Sequence, residues 1–205
     1  MTGLAGHAFG SWSAQDDQNN FMWLRDAIPK RFDQMRVLTY GYDSQLLRSE
    51  SFQTIPYISL AFISRMRSVG LAEHSAKPIL FLAHSLGGIV VKQAMVQMAN
   101  SPHLELTLLP KVKGVVFFGV PNRGMLISHL LRMVEHRANE PLIQTLRKES
   151  PYLAGLDEQF FGVSLTREID IMSVFETHRS QIPQVGGLNF GFMLMYFLLN
   201  DRFRE

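Results

Sequence analysis

An α/β domain with a mostly parallel sheet is the fold this sequence predicts, and three observations carry the prediction. Short unbroken apolar runs, the mark of strands buried on both faces, occur at Pro78–Ala83 and Val112–Phe118. Stretches with apolar residues at helical spacing stand between them. The first run turns through Ser85-Leu86-Gly87-Gly88 directly into such a stretch. Strands that alternate with helices are joined by right-handed crossovers, which set the strands parallel in one sheet. The 205 residues leave room for one such domain, and 46% hydrophobic against 19% charged residues excludes a disordered chain.

The elements follow in order. Met35–Tyr40 is β-rich and stops at Gly41, which predicts a strand. In Ser51–Val69, Ile55, Ile58, Phe62, Met66 and Val69 share one helical face, with Pro56 in the first turns, where its missing N–H does least harm. Pro78–Ala83 is a strand, Leu86–Met98 a helix and Val112–Phe118 a second buried strand. Met125–Glu135, Leu142–Lys148 and Pro151–Phe160 are helical, and Ile169–Phe175 alternates as a strand. Residues 188–199 form the longest apolar run. It is too short for a membrane span of about 20 residues, and it reads as a buried strand or helix, with an interfacial anchor as the alternative. There is no internal repeat and no long linker. The domain is assigned to 1–180 and a divergent apolar tail to 181–205.

Charge and composition remove several classes of function. Twenty Lys and Arg against 18 Asp and Glu leave a formal net charge of +2, scattered along the chain, which speaks against nucleic acid as a partner. No cysteine is present, so disulfides, thiolate zinc sites and a Cys nucleophile are excluded. The expectation is no metal, no organic cofactor and an intracellular, cytoplasmic location. Met1–His7 lacks the cationic start and apolar stretch of a secretory signal.

The sharpest local feature is Ala83-His84-Ser85-Leu86-Gly87 between a buried strand and a helix. This is the context of a nucleophile elbow, a tight strand-to-helix turn that lifts a serine hydroxyl above the sheet. Small residues two positions to either side, here Ala83 and Gly87, relieve the clashes of such a turn. The helix start aims the Leu86 N–H at a developing oxyanion. Upstream, the glycine-rich Thr2–His7 turn offers a second donor, Leu4 or the neighbouring Ala5. Downstream, the loop after Val112–Phe118 places Asn122 and Arg123 at the C-terminal side of a parallel sheet, where they would border a site. Asn122 is suited to orienting a catalytic group and Arg123 to binding an anionic head group.

Several segments occur in one order: Gly3–Trp12, Met22–Asp26 with Pro29, Leu38–Asp43, Ala83–Lys92, Phe117–Gly124 and Val174–Thr177. Together they resemble the serine esterase domain of fungal proteins, an α/β-hydrolase family. They are also similar to serine-active-site-containing proteins of phospholipid remodelling at mitochondrial and endoplasmic reticulum membranes, and distantly to glycosylphosphatidylinositol inositol-deacylases. The resemblance covers roughly 2–180. It implies Ser85 as nucleophile, Leu4 and Leu86 as oxyanion donors, and Glu176 as the acid at the end of the last strand. It also implies a lipid-ester substrate and a mitochondrial or reticular membrane as the alternative location, with peripheral association. Larger relatives carry nucleotide-binding and repeat modules.

Order along the chain constrains the base. In this fold the histidine follows the acid, and His178 alone follows Glu176. Two residues leave little chain for an imidazole to return over the sheet; with His178 as base, Asp170 or Asp157 is the alternative acid. The expectation is therefore an incomplete fold, lacking its first core strand and its last strand. Two functions follow: hydrolysis of carboxylic, lipid-like esters, or a catalytically incomplete module that binds or signals.

Overall fold

The computed structural model describes residues 1–14, 21–47, 49–176 and 195–199, with the backbone alone at 175–176 and 195–199. A four-stranded sheet organises them: β1 (Ile79–His84), β2 (Val112–Phe118), β3 (Asp170–Glu176) and β4 (Met195–Leu199), adjacent in that order. β1, β2 and β3 are parallel, with Ala83 beside Phe117 and Phe118 beside Val174. β4 adds antiparallel to β3, Val174 facing Phe197. The sheet thus has a strand beyond β3, inside the 188–199 run that reads as a buried strand or helix, although the expectation of an incomplete fold had the last strand missing.

Two short helices, α1 (Trp23–Asp26) and α2 (Ile28–Arg31), precede α3 (Ile55–Ser68). Pro56 sits in the first turn of α3, and Gly70, at φ 81°, follows its end. Left-handed backbone of this kind is what glycine adopts without a Cβ penalty. Ile55, Ile58, Phe62, Ile63 and Met66 line its buried face. The Ser59 hydroxyl lies 2.9 Å from the carbonyls of Ile55 and Val90, tying α3 to α4 (Leu86–Ala99). α4 is buried nearly all round, as a helix must be when it lies between a sheet and other helices. α5 (Pro102–Thr107), α6 (Ser128–Val134), α7 (Glu140–Thr145) and α8 (Pro151–Thr166) complete the set. α8 starts from Ser150, whose hydroxyl accepts from the Leu153 N–H, and it packs along α4.

α3, α4 and α8 cover one face of the sheet, where Phe81 meets Phe62 and Phe117 meets Phe160. Trp12, Met22 and Leu24 pack against Leu82 and Phe118 on the other face. Trp12 meets the Trp23 and Phe118 rings edge-on at 6.0 Å.

Two expectations are corrected. Met35–Tyr40 forms no strand: it is mostly exposed, and among the described residues no neighbouring strand offers it a ladder. Its β propensity has nothing to pair with, and propensity without a partner does not make a strand. β1 is not buried on both faces, since Leu80 is 56% exposed. β1 is the outer strand of the sheet among the described residues. Among the described residues only Met1 pairs along its free edge, donating its amino N–H to the Leu82 carbonyl (2.6 Å) and accepting from the His84 N–H (3.0 Å).

Candidate active site

Ser85 forms the turn between β1 and α4, at φ 51° and ψ −128°. A side chain at positive φ is strained, and the surroundings hold it there. The Ser85 N–H donates to the Phe118 carbonyl at 2.9 Å, fixing the turn to the end of β2. Glycines let three backbones close around it. A Cβ on Gly3 would fall 2.5 Å from Ser85 Cβ and 3.1 Å from its Oγ. A Cβ on Gly87 would fall 2.4 Å from the Thr2 carbonyl oxygen, and one on Gly88 2.2 Å from Val120 Cγ2. Ala83 is fully buried.

The Thr2–Gly6 loop therefore lies against the serine turn. Tyr42 Oη donates to the Thr2 carbonyl (3.0 Å) and the Ala5 N–H to the Ser44 carbonyl (2.7 Å). The Gly6 N–H donates to the Gly3 carbonyl at 3.0 Å. Of the two candidate donors in this loop, Ala5 is thus committed elsewhere, while Leu4 N–H has no acceptor among the described residues. Leu86 opens α4, so its N–H has no acceptor within the helix. Gly3, next to Leu4, and Ser85, next to Leu86, come together from two segments far apart in the chain.

Asn122 and Arg123 stand in the loop after β2, but beside a different space. They line an open cavity of about 690 Å³ with Lys92, Phe117, Asp157 and Phe160, and Ser85 is not on its wall. Asn122 Oδ1 accepts from Lys92 Nζ at 2.9 Å. Arg123 is exposed, and its carbonyl accepts from the Glu149 N–H.

Glu176 ends β3 at the C-terminal side of the parallel strands, the side on which Ser85 follows β1. His178 lies outside the described residues. The two alternative acids are displaced. Asp170 opens β3, opposite Gly114, about 20 Å of strand from its C-terminal end. Asp157 is the ion-pair partner of Lys92. His84 is partly buried: desolvation, then the Met1 ammonium, pulls its imidazole below the usual value. His7 Nδ1 accepts from the Phe9 and Gly10 N–H groups, and His129 lies by Arg132. Among the described residues no imidazole hydrogen-bonds Ser85, and no three metal-ligating side chains cluster.

Lys92 is the residue that sequence reasoning passed over. It is 4% exposed in the middle of α4, pairs with Asp157 on α8, and lies over the Phe117 and Phe160 rings at 5.2 and 4.9 Å. Burial pulls its ammonium below the usual lysine range, and Asp157 opposes that shift. The signal in the sequence is a single charged residue inside a mostly apolar helical run.

The sheet, the serine turn at its C-terminal edge and the helix that follows define an α/β-hydrolase fold. Phospholipase PlaB from Legionella pneumophila shares it, with a TM-score of 0.56 at 15% identity over 87% of this chain and 38% of that one. The same phospholipase in complex with thio-NAD gives a TM-score of 0.55 at 16% identity, over 84% and 35%. In sequence the chain is similar to Protein SERAC1. The zebrafish (Danio rerio) protein is 24% identical over 196 residues, 85% of this chain and 29% of its own. The Homo sapiens and Mus musculus proteins are 23% identical over 194 residues. The chain spans about 29% of the length of these relatives. No protein-family model matches it.

Proposed function

We propose that this chain is a serine hydrolase of carboxylic esters, with lipid acyl esters as the substrate class. The observation that carries the reading is the strained Ser85 turn, with Gly3 packed on it and the neighbouring Leu4 and Leu86 N–H groups without acceptors among the described residues. In this reading Ser85 Oγ attacks the ester carbonyl and passes its proton to a base. The carbonyl oxygen gains the charge, held by the Leu4 and Leu86 N–H groups. The alcohol leaves with the proton, and water then releases the acyl group from Ser85. Glu176 is assigned the acid that orients the base and His178 the base. Asn122 and Arg123 are assigned to the substrate's polar end. The shared fold with a phospholipase supports the lipid class.

A second reading has its own observation: no imidazole among the described residues bonds Ser85, which favours a catalytically incomplete module that binds or signals. A fluorophosphonate probe separates the two. Hydrolysis requires covalent labelling of the folded protein that Ser85→Ala abolishes; a folded protein that stays unlabelled refutes it. Among the described residues no helix is long and apolar enough to cross a membrane. Peripheral association of a cytoplasmic protein, at a mitochondrial or reticular surface, belongs to the same proposal and is read by vesicle flotation.

A further inference from the structure

The Lys92 cluster lies outside the serine turn, yet it touches the loop that leads away from it. Lys92 follows Ser85 by two turns of α4, and its buried ammonium reaches two other elements. Nζ donates to Asn122 Oδ1 at 2.9 Å in the 119–124 loop and pairs with Asp157 on α8. The Phe117 and Phe160 rings flank it. Asp157 is half exposed, with a side-chain exposure of 50%, so water can take over its charge if the pair is lost. Asn122 sits in a loop that backbone hydrogen bonds anchor to β3 and to Glu149. The Gly119 N–H donates to the Val174 carbonyl, the Asn122 N–H to Val120 and the Glu149 N–H to Arg123. Val120 fills the space above Gly88, three residues beyond Ser85. The loop therefore meets α4 at two points, by contact at Val120–Gly88 and by hydrogen bond at Asn122–Lys92.

We propose that Lys92 is a positioning residue: through Asn122 it holds the 119–124 loop, and Arg123 with it, in fixed register with the helix that Ser85 begins. A single van der Waals contact fixes a distance but leaves a loop free to pivot. A second, directional bond about one turn further along the same helix removes the pivot. A buried cation suits the task, since a charged donor makes a stronger hydrogen bond than a neutral one and is costly to leave unpaired inside the fold. Asp157 keeps that cation paired inside the fold, the condition under which a buried charge is tolerated.

Hydrogen exchange of the full chain tests the loop directly, and this arm does not depend on the hydrolase reading. Lys92→Met keeps the volume without the donor, and Asn122→Leu removes the acceptor from a loop position. In both, the Asn122, Gly124 and Glu149 amides should exchange faster by about tenfold, the ratio implied by losing a hydrogen bond to a charged group, while α3 and α8 keep their protection. Unchanged loop exchange in both Lys92→Met and Asn122→Leu overturns the proposal. So does a uniform rise across the whole molecule, which would make Lys92 only a stabiliser of the core.

The catalytic consequence rests on the proposed function and is read separately. With a phosphate-bearing ester, KM of Lys92→Met should rise about tenfold with kcat held, and with an uncharged ester it should not move, because Arg123 has lost its register. An equal rise for both esters overturns the link to Arg123. A wild-type protein that the fluorophosphonate probe does not label removes the hydrolase reading and leaves the exchange result standing.

Discussion

The strain at Ser85 can be measured by comparing two substitutions at that one position. Ser85→Ala keeps a Cβ at φ 51° and ψ −128°, whereas Ser85→Gly removes it. The hydroxyl makes no hydrogen bond among the described residues, so the alanine variant loses little and retains the backbone penalty. A non-glycine residue in such a conformation costs ~1–3 kcal/mol. Glycine relieves that cost but adds ~0.5–1 kcal/mol of unfolded-state entropy relative to alanine. Subtraction leaves the glycine variant about 1 kcal/mol more stable than the alanine variant. For a chain of this size that is a Tm higher by about 2–4 °C. Thermal unfolding followed by circular dichroism, with urea titration as the second measure, reads the difference. An alanine variant as stable as the glycine variant, or more so, refutes the argument that the turn stores strain. Both variants lose fluorophosphonate labelling, so in the glycine variant stability and reactivity move in opposite directions at one residue.

Other outcomes follow from the same geometry. Gly3→Ala puts a methyl group 2.5 Å from Ser85 Cβ; displacement of either segment should slow probe labelling about 100-fold, read as a rate on folded protein. Gly88→Ala drives a Cβ into Val120, 2.2 Å away, and should cost ~1–3 kcal/mol in urea titration. Ile58→Ala empties a buried position on α3, 1% exposed, and should cost ~2–5 kcal/mol by the same measure. His84 titrates below its ordinary value when folded, because of burial and then the Met1 ammonium. The unfolded chain therefore binds the proton first as pH falls, so this contribution is intact above about pH 6.5 and is lost below it. His84→Gln should flatten the fall in urea midpoint between about pH 7 and pH 5, and an unchanged slope contradicts the assignment.

Much of the fold was legible because its elements are locally encoded. The apolar run Val112–Phe118 and the helical spacing of Ser51–Val69 state their own structure, and β2 and α3 lie where those patterns put them. The turn at Ser85 was legible for the same reason: its demands for a small residue before, a glycine after and a helix beyond are all local. Met35–Tyr40 failed because a strand exists only when another strand lies beside it, and no local pattern reports a neighbour. Leu80 failed likewise, since continuous apolarity does not tell an outer strand from an inner one.

What the sequence determined by itself was the α/β alternation, the order of the strands along the chain and the serine at the strand-to-helix turn. These depend on periodicity, turn chemistry and steric limits within a few residues. The tertiary structure alone decided which distant groups meet. It set Gly3 against Ser85, committed the Ala5 N–H to Ser44 and left the Leu4 N–H open. It joined Asn122 to Lys92, and gave Asp157 to the same lysine. The physical reason is that hydrogen bonds and close contacts reach only a few ångströms, so their partners are chosen by the packing of helices on a sheet and not by separation along the chain.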